Sequence, residues 1–372
     1  MKSTGFAALR KFIGSMACAA LTLAVLPAPA TVEIGRDYDV LNLPAMQSPL
    51  AAKTWIHAIT RAGDRLVAVG QRGHIIYSDD NGQSWTQARV PVRSDLTAVD
   101  FPTPEIGWVG GHEGVILQTT DGGESWSKKL DGYQFNDMAL AHYSKLAEKN
   151  PDDDLYEILL GEAEFALEQG ADRPWYAIEV NERDEVYAVG AYGLMAVSYD
   201  SVNWVPIIEA VENHDGFNHI YSYAKLGVDD FILVGERGSF WYQPKPNTAW
   251  KRLSPFYTGS LYTAVTSEDD AIIVSGLRGN TFRSTDKGYS WSEVELPVAE
   301  SMVNSLRLQD GRLVLVSSAG SVLVSSDGGM SFDPVEVDTR WPYTDVIEVE
   351  PGVIVLTGMR GVRRLDLAKQ AK

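Results

Sequence analysis

The chain has 372 residues, with 32 lysines and arginines against 50 aspartates and glutamates, for a formal net charge of −18. That balance argues against nucleic acid and anionic lipid headgroups as general partners, since both would be repelled. Cys18 is the sole cysteine, so no disulfide framework holds the fold, and a chain of this length can bury a core without one.

Residues 1–30 read as a secretory signal peptide. Lys2, Arg10 and Lys11 form a basic start, Phe12 to Leu26 is an apolar run, and Ala28-Pro29-Ala30 supplies the small-x-small cleavage pattern. An uncleaved anchor is the alternative; a lipoprotein signal at Cys18 is poorly served by Ser15-Met16-Ala17. Cleavage removes three basic residues and no acid, leaving −21. No later apolar stretch approaches a membrane span of about 18 residues, so residues 31–372 are expected as one exported domain that does not cross the bilayer. Export without disulfides suits a periplasm, or a thylakoid-like lumen if the organism is photosynthetic.

A Gly-x-x-Gly tetrad then recurs along the chain: Gly70–Gly73, Gly111–Gly114, Gly190–Gly193, Gly235–Gly238, Gly276–Gly279, Ser317–Gly320 and Gly358–Gly361. The starts are 41, 79, 45, 41, 41 and 41 residues apart, which is one period with an insertion after the second copy. Short β-rich runs flank each tetrad, such as Leu66-Val67-Ala68-Val69 before and Ile75-Ile76-Tyr77 after. The glycines therefore mark hairpin turns, where positive φ is needed and a Cβ would clash. A second turn follows in four complete copies, each with an aromatic 15 residues after the tetrad start. Its pattern is the Asp-box, S/T-x-D-x-G-x-S/T-W, anchored by Asp80 and Trp85, Asp121 and Trp126, Asp286 and Trp291, and Asp327 and Phe332. The aspartate can accept bonds from turn N–H groups and the aromatic can pack beneath. A calcium loop is the other reading of Asp79-Asp80-Asn81-Gly82, but the distal glutamate and alternating ligands are missing, so no metal or cofactor is expected. The third and fourth copies have decayed to Ser198…Trp204 and Trp241…Trp250.

Four strands per repeat, seven times, predicts an all-β, seven-bladed β-propeller of four-stranded blades with Asp-box turns. The last repeat ends near Leu367, before a fourth strand, so Val32 to Leu43 is expected to close blade seven as its outer strand. Between blades two and three, residues 134–172 predict an α-helical hairpin. Phe135, Met138, Ala139, His142 and Leu146 form one stripe, Leu155, Ile158, Leu159, Ala163 and Ala166 a second, and Asn150-Pro151-Asp152-Asp153-Asp154 reads as a helix start. The hairpin holds ten acids and two lysines. It is either a decoration whose stripe packs on the propeller or a partner-docking element.

Hairpins alternate faces in a four-stranded blade, so the tetrads and the blade-to-blade connections share the face opposite the Asp-boxes. There the second inner tetrad position is Arg72, Arg237, Arg278 and Arg360 in blades one, four, five and seven, and Glu113, Tyr192 and Ala319 in the others. Arg363 and Arg364 follow in blade seven. An arginine fork suits carboxylates or phosphates, unless each arginine pairs with an acid of a neighbouring blade.

Asp-box blades carrying Gly-Gln71-Arg72-Gly, Gly-Glu236-Arg237-Gly, Gly-Leu277-Arg278-Gly and Gly-Met359-Arg360-Gly turns resemble the photosystem II stability/assembly factor family. That resemblance implies a non-catalytic factor that holds a membrane-protein subunit during assembly, with Arg72, Arg237, Arg278 and Arg360 as partner-binding residues. The partner is then a photosystem-like complex or another membrane complex such as a transporter. The alternative is a sialidase-like glycoside hydrolase or carbohydrate-binding propeller, which shares Asp-boxes and would draw on Glu113, Glu236 and Asp345, with Trp175, Trp241, Trp250 and Trp341 to stack sugars. His214 and His219 lack metal spacing.

Overall fold

The computed structural model describes residues 38–212, 217–227, 230–246 and 248–368. The expected signal peptide and His214 lie outside these residues. Seven antiparallel sheets follow in chain order, each a simple meander. The first six have four strands and the seventh has three. Their innermost strands are Ile56–Ala62, Leu96–Asp100, Trp175–Val180, Ile220–Lys225, Leu261–Thr266, Met302–Arg307 and Tyr343–Glu350. Each touches the next and the last touches the first, so the blades form a closed ring. Blade seven is tied to blade one by Ile59 N donating to Asp345 Oδ2 at 2.8 Å and Thr344 Oγ1 donating to the Ile56 carbonyl at 2.6 Å.

The core lies between blades. The second strand of every blade is almost wholly buried, as in Phe231–Gly235 and Leu313–Ser317. Residues facing both neighbours must be apolar throughout, which is why these runs read as unbroken Val, Ile and Leu.

Of residues 32–43, only Tyr38–Leu43 are described, and they form turns, not a strand. The Val40 carbonyl accepts from Arg93 N, Leu41 is buried, and Lys128 Nζ reaches the Leu41 carbonyl at 3.2 Å. These contacts bind Tyr38–Leu43 beside blades one and two, so its polar backbone is satisfied away from blade seven.

The turn aspartates are saturated by their own turns. Asp80 accepts from Ser78 Oγ, Gln83 N, Ser84 N and, at 2.6 Å, Ser84 Oγ. Asp121, Asp286 and Asp327 repeat the bonds to the serine four residues on. Trp126 and Trp291 close their turns through Nε1 onto the Gly123 and Gly288 carbonyls. Trp85 and Phe332 occupy the same position in their blades, Phe332 buried. The decayed third turn keeps the device, with Asp200 accepting from Val202 N and Asn203 N. Among the described residues, no group of three or more potential ligands could hold a metal.

The bonds from Ser84, first to its side chain and then to its backbone, hold the Asp80 carboxyl at about 2, and those from Ser290 do the same for Asp286. Stability from these groups is present above the ordinary carboxylate value and is lost as pH falls through about 4 towards 2. Carbon-detected NMR titration should find both midpoints near the lower value and see Asp80 rise in Ser84→Ala. An ordinary midpoint in the unaltered protein would show that the turn does not hold its aspartate in solution.

Two helices connect blades two and three: α1, Gly132–Lys149, and α2, Asp154–Gln169. Asp131 and Gln134 form a capping box on α1. Asp153 caps α2 by accepting from Leu155 N, so Pro151 lies in the linking turn before the cap and not in the first helical turn. Phe135, Ala139 and Tyr143 of α1 and Leu159 and Ala163 of α2 are buried in one cluster with Trp108, Trp175 and Leu194, and Ala166 of α2 is buried as well. His142 Nε2 and Tyr143 OH both meet Glu209, at 2.9 and 3.3 Å, fixing α1 to the connection after blade three.

Candidate partner-binding face

The tetrad glycines do two different jobs. The first of each is extended, with φ between −161° and −169° in blades one to five. Positive φ is therefore not its reason. A Cβ at Gly70, Gly235 or Gly276 would sit 2.0–2.3 Å from the carbonyl oxygen of Trp55, His219 or Ser260, the residue just before the innermost strand. Close approach of two backbones demands glycine there. The fourth glycine has positive φ and also meets backbone: Gly73 approaches Val92 O and Gly238 approaches Tyr257 O. Each tetrad is thus set against the connection into the next blade, on one face of the ring.

In blades one to five the third tetrad residue is left-handed, with φ of 56° at Arg72, 54° at Glu113, 52° at Tyr192, 53° at Arg237 and 59° at Arg278. The turn imposes this strain, since it is the same for arginine, glutamate and tyrosine. Glycine or asparagine would adopt it at less cost than arginine does. In blade seven the turn is tighter: Gly358 pairs with Gly361 across Met359 and Arg360, and positive φ falls on Gly361.

Arg72, Arg237, Arg278 and Arg360 are all exposed. Among the described residues none of their guanidiniums makes an ion pair or hydrogen bond; Arg360 lies 5.9 Å over the Trp341 ring. Other arginines are committed: Arg65 to Asp79, Arg173 to Glu162, Arg283 to Asp269, Arg363 to the Thr339 carbonyl and Arg364 to Glu350. The ring order places Arg237 beside Arg278 and Arg360 beside Arg72, with only Ala319 of blade six between the pairs. The rest of the face carries Glu113, Tyr192 and the acidic hairpin, so one sector is basic and the opposite sector acidic.

A feature not read from the sequence lies at the start of the innermost strands. Every one of the seven pairs with its neighbour through a bulge or register shift at the same place. The residues at that place are His57, Thr97, Tyr176, Tyr221, Tyr262, Val303 and Thr344. Bulges re-aim side chains, and here three successive tyrosines touch around the axis. The Tyr176 and Tyr221 rings are 5.4 Å apart and the Tyr221 and Tyr262 rings 5.0 Å. His219 joins them, 4.7 Å from Tyr192, and its Nδ1 accepts from Tyr192 N. Burial, then the nearby Glu236 carboxylate, raises the Tyr221 phenol, so it stays a neutral donor. Burial holds His57 down at about 4, so it is a neutral imidazole at physiological pH. A signal was present: a large apolar residue stands 15 positions before six of the seven tetrads, as in Leu96, Trp175 and Ile220, and the bulged residue follows it.

The carboxylates considered for glycoside hydrolysis are otherwise engaged. Glu236 accepts from His219 N and Tyr221 OH, and Asp345 from Ile59 N and Val346 N. Burial raises Glu113 above the ordinary range. Trp175, Trp241 and Trp250 are fully buried and offer no surface to a sugar; Trp341 lies beneath Arg360 and Arg363. A second carboxylate pair, also unread from the sequence, sits at the other end of the innermost strands. Burial raises both Asp100 and Glu179, the latter to about 8, and Lys225 Nζ is 3.7 Å from Glu179. Asp100 accepts from Val180 N and so stitches blade two to blade three.

Among the described residues, no helix is long and apolar enough to cross a membrane. Residues 78–147 match the family model described as photosynthesis system II assembly factor YCF48. Over 52 residues the chain is 40% identical to the chloroplastic photosystem II stability/assembly factor HCF136 of Guillardia theta, covering 13% of each protein. Over 85 residues it is 31% identical to the photosystem II assembly lipoprotein Ycf48 of Synechococcus sp. (strain CC9902), covering 20% of this chain and 25% of that one. The aligned stretches thus span a quarter or less of these relatives. The solved structure of YCF48 bound to D1 peptide superposes with a TM-score of 0.61 at 17% identity, over 86% of this chain and 97% of that one. A streptogramin B lyase superposes with a TM-score of 0.64 at 11% identity, over 87% and 96%. At such identities the superpositions establish the propeller fold alone. The sequence match over residues 78–147 makes this stretch of the chain similar to photosystem II assembly factors.

Proposed function

We propose that the chain is a non-catalytic, exported assembly factor that holds a membrane-protein subunit through Arg72, Arg237, Arg278 and Arg360. The observation that carries this reading is the set of four exposed, unpaired guanidiniums at equivalent turns of a strongly acidic protein. Arg72, Arg237 and Arg278 stand in a left-handed conformation that glycine or asparagine adopts at less cost, while Arg65, Arg173, Arg283 and Arg364 are engaged in ion pairs. Forked donors in one sector suit a segment bearing carboxylates, such as an acidic loop or a free C-terminus. The D1 peptide bound to YCF48 in one superposed structure supports a subunit of photosystem type as the partner. In this reading the Asp-box turns are scaffold on the opposite face, the helical insertion borders the binding sector, and the periplasm or a thylakoid-like lumen is where the protein works.

The quadruple Arg→Ala variant should melt close to the unaltered protein, because among the described residues none of the four guanidiniums has an ion pair or hydrogen bond to lose, and Arg360 only its distant approach to the Trp341 ring. Its capture of the partner subunit from native membranes should fall by about a thousandfold, at about 1 kcal/mol for each of the four charged hydrogen bonds removed. Undiminished capture by a folded quadruple variant would assign the arginines to the surface alone.

A further inference from the structure

We propose that α2 carries a second docking surface, separate from the arginine turns, shaped for a cationic amphipathic helix of a partner protein. The sequence stripe on this helix divides in the structure. Leu159, Ala163 and Ala166 are buried, but Leu155, Ile158 and Phe165 are 39%, 55% and 53% exposed. Positions 155, 158, 162 and 165 are three and four apart and share one flank. Glu162 in that row is already neutralised by Arg173 at 2.6 Å. The row therefore presents three apolar side chains and no free charge. The hairpin's own packing uses the other row, so this one contributes little to folding.

Charge selects the occupant. Asp154, Glu157, Glu164 and Glu168 stand exposed around the solvent side of α2, and among the described residues none forms an ion pair. The helix contains no lysine or arginine. Glu164 and Glu168 repel each other at i,i+4 and lie where the helix dipole disfavours negative charge. Apolar side chains in water and like charges at the wrong helix end are separate costs, and one partner would relieve both. A second copy of this chain would bring the same carboxylates against them, and an anionic bilayer would be repelled. A helix with leucine-type residues along one stripe and lysines or arginines beside it covers the row and answers the acids. Ile158 and Phe165 are about 10 Å apart along the axis, two turns, which a partner helix matches with apolar residues at i and i+7.

The test uses the full chain and a fluorescent peptide of about 18 residues with leucines at heptad a and d and lysines at e and g, alongside a twin with glutamate for lysine. The lysine peptide should bind and the glutamate twin should not. Ile158→Ser with Phe165→Ser, both exposed, should leave melting unchanged and weaken binding at least about tenfold, the worth of two part-buried apolar side chains. Glu157→Gln, Glu164→Gln and Glu168→Gln together should weaken it about fivefold. The quadruple arginine variant should bind the peptide as the unaltered chain does, so this surface and the arginine face can fail independently. Leu155→Ser alone serves as the variant should the double substitution unfold α2. The proposal is overturned by equal binding of the serine variant, by binding of the glutamate twin, by self-association that the serine variant abolishes, or by stripe-dependent binding to phosphatidylglycerol vesicles.

Discussion

Trp175→Ala is expected to lower stability by about 4 kcal/mol, the range for a large aromatic removed from a packed core. Trp175 is wholly buried at the start of the innermost strand of blade three. Its Nε1 donates to the Gly114 carbonyl at 2.9 Å, which belongs to the tetrad turn of blade two, and Phe135 of α1 packs edge-on at 5.3 Å. Gly110 leaves room for it, since a Cβ there would come within 3.0 Å of the tryptophan. One side chain thus joins two blades and the helical hairpin. Its loss should lower the melting temperature by about 5 °C and speed amide exchange throughout α1, because the cavity opens under that helix. Trp175→Phe keeps most of the packing and should cost only about 1–2 kcal/mol, chiefly the hydrogen bond. A Trp175→Ala protein melting with the unaltered one would mean the hairpin is anchored elsewhere, through Glu209.

The second large effect is a dependence on pH that runs opposite to that of the Asp-box turns. Burial pushes the Asp345 carboxyl up to about 7, against the opposing pull of bonds from Ile59 N and Val346 N. Because the folded state keeps this proton when the unfolded chain has released it, stability falls as pH rises from about 4 to about 7 and is level beyond. A shift of about three units has an upper bound of about 4 kcal/mol. Glu179 acts in the same direction up to about 8. The Asp-box carboxylates withdraw support only below about 4, so maximum stability is expected near pH 4–5. Thermal melts from pH 4.5 to 8 should fall with rising pH, and Asp345→Asn should flatten that fall while costing one accepted hydrogen bond at every pH. Equal slopes for the two proteins would remove Asp345 from the account.

Sequence and structure part company at identifiable places. The period of the tetrads is legible because a backbone close approach forbids a side chain at the same spacing in six of the seven copies, Ser317 standing in the other. The reason is not: Gly70 and its equivalents are extended, and what excludes a Cβ there is a carbonyl just before the innermost strand, 15 or 16 residues back along the chain. A positive-φ explanation holds only for the fourth position. The alternation of hairpins is enough to place the arginines on one face, whereas their lack of partners is a three-dimensional fact, visible only with Glu236 and Asp95 serving His219 N and Arg72 N. The bulge residues escape a sequence reading because a strand taken at period two has no symbol for an extra residue. The stripe on α2 reads as a single apolar face, since Leu155 and Leu159 are equally good at i,i+4. Only the tilt of the helix against α1 decides which of them meets water. Counting strands assigns Val32 to Leu43 to blade seven, and a count cannot see that Arg93 and Lys128 claim the Val40 and Leu41 carbonyls of its described part.

The close contact of the tetrads with the next connection bears on the arginine face proposed above as the binding surface. Val92, Tyr257 and Trp341 carbonyls press against the turn glycines at Gly73, Gly238 and Gly320, which leaves those loops no room to bend. Only the arginine side chains beyond Cβ are free to adjust. On the proposed function the face is preorganised, and association would ask for the freezing of a few rotamers, not the ordering of a loop. A flexible partner segment would carry nearly all of the entropic cost, so affinity should respond far more to stiffening the partner than to any further stiffening of the ring.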